Sequence, residues 1–319
     1  VRGIERYRSE FREEWDTFVR GSRNGTFLFE RGYMDYHAHR FEDFSLIIRD
    51  KKGRVEAMLP ANRDEDRIVS HGGLTYGGFI VGSSTRVASV LEIFEQVVVY
   101  LAASGIREFL YKPVPYIYHR QPCEEDLYAL FRLGARLVQR DVGACACPSE
   151  LKQFSERVRG PIRKAERAGV VVEESERFED FWPILENNLA TRYQSAPVHS
   201  LSEIKLLKSR FPSHIRLFLA KDSRSVLAGS VLYETANAAH IQYAGSTADG
   251  RAVGAQHLLL VDLLQSRFQN KKWFDYGIST EAGGRALNTG LQEFKEGFGL
   301  RAIVSDRYSI SLSPREARS

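Results

Sequence analysis

The chain predicts an α/β fold made of two tandem domains, and three observations carry that expectation. Residues 45–112 and 215–277 lay out the same order of elements. The 319 residues exceed the size at which one hydrophobic core usually stops growing. Each stretch sets short apolar runs between turn residues and then continues into a longer apolar segment, the mark of strands followed by a helix. The expected division is between residues 1–148 and 149–319, each half long enough to bury its own core.

The first copy opens with the strand Ser45-Leu46-Ile47-Ile48, which turns through Asp50-Lys51-Lys52-Gly53 into Val55 to Leu59. Arg67 to Ser70 forms the third strand, a glycine-rich loop runs from Gly72 to Gly82, and a helix from Val87 to Leu101 leads to the strand Glu108 to Tyr111. In the second copy Ile215, Leu217 and Leu219 meet the turn Lys221-Asp222-Ser223-Arg224, and Val226, Leu227, Val231 and Leu232 return as the other arm of a hairpin. The strand His240 to Ala244, a loop with Gly250 and Gly254, a helix from Leu258 to Phe268 and the strand Trp273 to Tyr276 follow. Between the copies, Pro161 opens a short helix that stops at Gly169, and Ser200 with Glu203 forms a capping box for the next one.

Composition excludes several classes. With 43% hydrophobic and 27% charged residues, the chain reads as globular, and its apolar runs fall short of the ~20 residues that span a bilayer. The opening residues Val1 to Arg6 are charged rather than apolar, so the expected location is the cytoplasm. Cys123, Cys145 and Cys147 are odd in number and lack the spacing of a zinc site, so they read as buried thiols and no metal is expected. A net charge of +4 decides nothing.

Cations do gather between Arg157 and Gly169. On a helix Arg163 and Arg167 share a face, with Lys164 beside them, and can grip the phosphates of a nucleotide, a lipid carrier or a transfer RNA; a solvated face interrupted by Glu166 explains them equally well. No aromatic stripe interleaves with these cations, so sequence-specific DNA binding is not expected.

The segment Ala248 to Ala255 joins a strand to a helix, where backbone amides and the helix dipole can face an anion. Arg251, Gly254 and Ala255 thus form a candidate phosphate cradle, although its glycines also suit any tight turn. After the strand ending Phe274-Asp275-Tyr276-Gly277 come Glu281, Asn288 and the run Phe294-Lys295-x-x-Phe298-Gly299. The order strand, Arg251-x-x-Gly254, helix, strand, Asn288, helix resembles the GNAT acyltransferase fold. The phenylalanine-lysine run more specifically resembles the Fem branch, the aminoacyltransferases of peptidoglycan bridge synthesis. Fem-like proteins contain two GNAT-type domains in tandem, each a mixed, mostly antiparallel sheet flanked by helices, so the resemblance covers most of the chain and accounts for the duplication. The chain departs from the pattern at Phe294, near the place where GNAT enzymes often carry a tyrosine that protonates a departing thiolate. It departs again at Gln256, where the loop usually ends in glycine or alanine.

The resemblance implies an N-acyltransferase that forms an amide, with no permanently bound cofactor and with aminoacyl-tRNA, slightly favoured, or acyl-CoA as co-substrate. The implied acceptor is an amine of a cell-envelope precursor, an amino sugar or a peptide-like metabolite. In such chemistry Lys295 stabilises developing negative charge, and Glu281 or Asp275, flanking a strand end, takes the amine proton. Gln242 and Tyr243 line the donor strand, facing opposite ways by strand alternation, and Asn288 hydrogen-bonds the carrier. Tyr243 also reads as a core aromatic. Arg163, Lys164, Arg167, Tyr193, His199 and Tyr308 fall on the acceptor side, His199 reading first as a structural neighbour of the Ser200 cap. The first copy's loop, Gly72 to Gly78, lacks an Arg-x-x-Gly core and is expected to have lost donor binding and to help shape the acceptor cleft. The alternative is a non-catalytic binding module of the same fold that recognises a phosphorylated or nucleotide-linked ligand.

Overall fold

The structure is a computed structural model that describes residues 2–312. It divides into two compact units. One takes the chain up to Asp141 and again from Val304; the other is Val142–Ile303. The end of the chain, expected with the second half, is thus grouped with the first.

The first unit contains β1 (Gly3–Arg6), α1 (Arg12–Gly21), α2 (Arg31–Met34), β2 (Glu42–Asp43), β3 (Leu46–Arg49), β4 (Val55–Leu59), β5 (Asn62–Asp64), β6 (Arg67–Val69), β7 (Ile80–Val81), α3 (Val87–Ala103), β8 (Glu108–Tyr111) and α4 (Glu125–Arg132). Strand β9 (Arg136–Ala146) then carries the chain into the second unit. Strands β1, β3, β4 and β7 form an antiparallel sheet in the order β1-β3-β4-β7. The turn between β3 and β4 forms because the Asp50 carboxylate accepts the amides of Lys52 and Arg54 while Gly53 takes a φ of 80°. Helix α3 buries Val90, Ile93, Phe94, Val97 and Leu101, a stripe of helical spacing that packs on Leu46, Ile48, Phe79 and Phe109.

In this unit β6 runs parallel to β8, with Arg67, Ile68 and Val69 opposite Glu108, Phe109 and Leu110. The chain after β6 then closes over the end of β8. The Ser70 amide donates to the Leu110 carbonyl at 2.9 Å, the Lys112 amide donates to Ser70 Oγ at 2.7 Å, and the Gly77 amide donates to the Lys112 carbonyl at 3.1 Å. Glycine is required at position 77, because a Cβ there would lie 1.6 Å from the Ser70 carbonyl oxygen.

The second unit continues with α5 (Glu156–Arg167), β10 (Val171–Ser175), α6 (Phe178–Tyr193), α7 (Leu201–Arg210), β11 (Ile215–Lys221), β12 (Val226–Glu234), β13 (Ala238–Ser246), α8 (Ala248–Val253), α9 (Ala255–Asp262), β14 (Trp273–Ile278), β15 (Thr280–Glu281), β16 (Ala286–Leu287) and α10 (Thr289–Gly297). Strand β17 (Arg301–Ser311) ends the described chain, its later part pairing antiparallel with β8. The sheet order here is β10-β11-β12-β13-β14-β9, antiparallel except between β13 and β14. Helix α5 starts at Glu156 rather than after Pro161: the Val158 and Arg159 amides already bond to the Ser155 carbonyl, so the proline sits inside the helix. Ser200 and Glu203 do form a reciprocal capping box on α7. Ala255, Leu259 and Leu260 of α9 pack with Phe218, Leu232, Ile241 and Phe274 to form the core.

Two features of β13 position the site. Its pairing with β14 covers only Ala238–Trp273, Ala239–Phe274 and His240–Asp275; beyond that β13 follows β12 while β14 turns to β9, where Ile278 lies opposite Gly143. The paired register thus ends at His240 and Asp275, and the two strands part there as a wedge where the first unit is laced shut. In addition, the β12–β13 register slips between Val231 opposite Tyr243 and Leu232 opposite Ile241, which leaves Gln242 as the extra residue of a β-bulge.

Candidate active site

The wedge is underpinned by Lys295. Helix α10 is capped by the Asn288 side chain, which accepts the Leu291 amide at 3.0 Å, and it carries Lys295 in its last turn. The residue is 1% exposed. Its Nζ donates to the carbonyls of Gly277 and Ile278 and to Ser279 Oγ, each at 2.8 Å. Burial lowers its pKa to about 8, against the opposing pull of Asp275. Lys295 therefore holds a positive charge beneath the end of β14 and is not the solvated helix residue its spacing from Gln292 and Glu296 would also allow; those two bond to each other at 2.8 Å.

Asp275 sits on the same strand end and is 6% exposed. One carboxylate oxygen takes the Gly277 amide at 2.8 Å; the other meets His240 Nδ1 at 2.7 Å. Gly277 has a φ of 70°, and a Cβ there would lie 3.4 Å from His240 Cε1, so glycine serves both the turn and the close passage of the imidazole. His240, Asp275, Gly277 and Lys295 thus form one bonded series. His240 and Ser279 were not singled out from the sequence; the alternation that places His240 beside Asp275 depends on a strand pairing that spacing alone does not reveal. Glu281 lies on β15, exposed, and accepts the Asn288 side-chain amide at 3.0 Å, while the Asn288 backbone amide donates to the Ser279 carbonyl. Asn288 is accordingly both cap and anchor of this turn.

Gln242 is the extra residue of the bulge, so regular alternation is interrupted at this point of the strand. Tyr243 is buried, with its phenol pushed up to about 12 chiefly by burial, and its hydroxyl meets His199 Nδ1 at 2.5 Å. Its ring stands edge-on to Trp182 with centroids 5.4 Å apart. His199 is thereby drawn into the same cluster, also buried. Gln242 Oε1 is buried with no hydrogen-bond partner among the described residues.

The expected phosphate loop has a different form. Thr247 caps α8 by accepting the Gly250 amide at Oγ1 (2.9 Å) and the Arg251 amide at its carbonyl (3.0 Å), so these amides are bonded within the chain. Gly254 follows with a φ of 86°, its amide on the Gly250 carbonyl, and Ala255 is buried. Arg251 is exposed and donates to the Ser246 carbonyl at 2.6 Å. Among the described residues it shares no hydrogen-bond partner with Lys295. Both polar atoms of the Gln256 side-chain amide are buried, without hydrogen-bond partners among the described residues.

On α5, Arg163 pairs with Glu156 of its own helix, and Lys164 and Arg167 are exposed. The side chain of Tyr193 lies outside the described residues. Tyr308 belongs to the first unit, opposite Tyr111 on β8, with its hydroxyl donating to Asp306 at 3.1 Å. Cys145 faces Asp275 across β9 and β14, its thiol pushed up to about 12 by burial. Among the described residues no three His, Cys, Asp or Glu side chains converge as metal ligands would, and no helix is long and apolar enough to cross a membrane.

No protein family and no curated protein matches this chain by sequence. Solved structures do match by shape. The crystal structure of FemX is 12% identical, with a TM-score of 0.67 over 97% of each chain. The C-terminal domain of a putative lysylphosphatidylglycerol synthetase from Agrobacterium fabrum is also 12% identical, with a TM-score of 0.62 over 95% of this chain and 92% of that one. The chain has the Fem-like tandem GNAT fold. A tandem GNAT protein from the clavulanic acid biosynthesis pathway covers 98% of this chain at 10% identity and a TM-score of 0.52. At these identities the likeness extends to the fold and not to the side chains.

Proposed function

We propose that the protein is an N-acyltransferase that moves an aminoacyl group from an activated carrier to an amine and so forms an amide. The observation that carries this reading is the Lys295 ammonium, buried and charged beneath the point where β13 and β14 part. A donor lying along the wedge presents its carbonyl to that strand end. Attack by the amine nitrogen puts negative charge on the carbonyl oxygen, and exchange of one Lys295 hydrogen bond for that oxygen stabilises the transition state where water is scarce. The reading also draws on the fold shared with FemX and with a lysylphosphatidylglycerol synthetase domain.

Two features favour aminoacyl-tRNA over acyl-CoA as donor. The amides of Gly250 and Arg251 are already bonded to Thr247, which weakens the turn as a pyrophosphate cradle. Phe294 stands near the place where GNAT enzymes often carry a tyrosine, and its ring supplies no proton for a departing thiolate. The acceptor is proposed to be an amine of a cell-envelope precursor or a related amino compound. The laced end of β8 supports a first unit that does not bind a donor.

The test supplies labelled aminoacyl-tRNA or acyl-CoA with candidate amines and compares the parent with Lys295→Ala. Labelled amide from the parent and at least a hundredfold less from the variant is the expected result. Equal product from both removes Lys295 from the chemistry. No product from any donor leaves a binding module of the same fold, which the full engagement of the Lys295 ammonium would then explain.

A further inference from the structure

We infer that His240, held by Asp275, is the base that takes the proton of the attacking amine; the inference rests on the transferase reading above. The geometry is that of an oriented imidazole. Asp275 accepts the Gly277 amide at 2.8 Å with one oxygen, which fixes the carboxylate, and its other oxygen lies 2.7 Å from His240 Nδ1. That bond sets the tautomer with the proton on Nδ1 and leaves the basic lone pair on Nε2. Asp275 has both carboxylate oxygens engaged, one by the Gly277 amide and one by His240, so the base in contact with it is the imidazole.

Position supports the assignment. His240 and Asp275 are the last pair before the strands part, so His240 stands at the apex of the wedge. Gly277 passes close to its Cε1 and gives its carbonyl to Lys295, so proton acceptor and oxyanion donor both adjoin one residue. The amine N–H proton passes to His240 Nε2 as the nitrogen bonds to the donor carbonyl carbon. The carbon–oxygen ester bond then breaks, and the leaving oxygen takes that proton back from Nε2. Ester and amine become amide and alcohol, with no other reactant. Asp275 is the positioning residue, stabilising the imidazolium formed midway.

The experiment measures amide formation with the donor that the parent uses, for the full chain carrying His240→Ala, His240→Gln or Asp275→Asn, each checked by thermal melting. The expected result is a kcat loss of about a hundredfold or more in both His240 variants, with the KM for the amine little changed. Added imidazole restores part of the rate of His240→Ala, which a merely structural role would not allow. Because a variant can fail to fold, the parent is also treated with diethyl pyrocarbonate. Modification mapped to His240 abolishes the rate, and hydroxylamine restores it. A folded His240→Ala as fast as a working parent, or a carbethoxylated His240 that still turns over, overturns the dyad and leaves the transferase standing. A parent inactive with every donor and amine overturns both.

Discussion

The Lys295 ammonium donates to Ser279 Oγ at 2.8 Å while also holding the carbonyls of Gly277 and Ile278, so a single charge fixes three consecutive residues at the end of β14. Replacement by an apolar residue of similar length isolates that role. Lys295→Met leaves two buried carbonyls without their partner, at roughly 1–3 kcal/mol each. Urea unfolding is expected to show a loss of several kcal/mol together with the loss of amide formation. A variant as stable as the parent would mean that the turn holds itself.

The pH dependence follows from the same burial. With the folded pKa lowered to about 8, the charge that the transferase reading requires is lost as pH rises through that value, and the rate is expected to fall with it. Stability moves the other way. Between about 8 and the ordinary lysine value near 10.4, the unfolded chain binds a proton that the folded chain does not, so this group's contribution to stability rises with pH across that window and is lost as pH falls through 8. Urea midpoints at about pH 7 and about pH 10 should diverge in the parent and converge in Lys295→Met.

Asp126 gives the opposite slope. It lies buried in the first unit, accepts the Tyr111 hydroxyl at 2.9 Å, and is pushed up to about 7 by burial. The folded chain keeps this proton from the ordinary carboxylate range up to about 7 while the unfolded chain releases it, so stability is full at low pH and falls as pH rises through 7. Asp126→Asn keeps an acceptor for Tyr111 and removes the titration. Thermal melts are expected to show a flatter pH profile and a more stable protein above pH 7.

Coenzyme A offers a quick discrimination between donors. A ligand at ~100 times its Kd stabilises by about 2.7 kcal/mol, a shift of several degrees in Tm. With the Gly250 and Arg251 amides already bonded, no shift is expected. A clear rise in Tm would return acyl-CoA as the donor.

Gly254 tests how tightly the turn between α8 and α9 is built. Its φ is 86°, and an added Cβ would lie 2.4 Å from the Pro161 carbonyl oxygen of α5. Gly283, at a φ of 62°, has open space around the same position. Gly283→Ala carries backbone strain alone, ~1–3 kcal/mol. Gly254→Ala adds the collision and should lose clearly more in denaturant unfolding; equal losses would show that α5 yields.

Much of the fold was legible because its signals are local. The Asp50-to-Gly53 turn, the Ser200–Glu203 box and the apolar stripe of α3 each depend on residues a few positions apart, and each formed as its spacing predicts. At Thr247 two local signals compete: a threonine three residues before Gly250 is a helix cap, while Gly250 and Gly254 suit a loop, and the cap prevails. The site was less legible. The phenylalanine-lysine run marked Lys295, but its three acceptors lie 16 to 18 residues earlier. Gln242 carries no local mark of a bulge, since the extra residue is defined by the partner strand. His240 meets Asp275 across 35 residues of chain, through a parallel register that only the folded sheet establishes.

The contact at Gly77 bears on what the first unit tolerates. With the Ser70 carbonyl 1.6 Å from where a side chain would begin, any larger residue at position 77 must push apart the segment that Ser70 and Lys112 tie together. The covering of that strand end therefore hangs on the width of a single hydrogen atom.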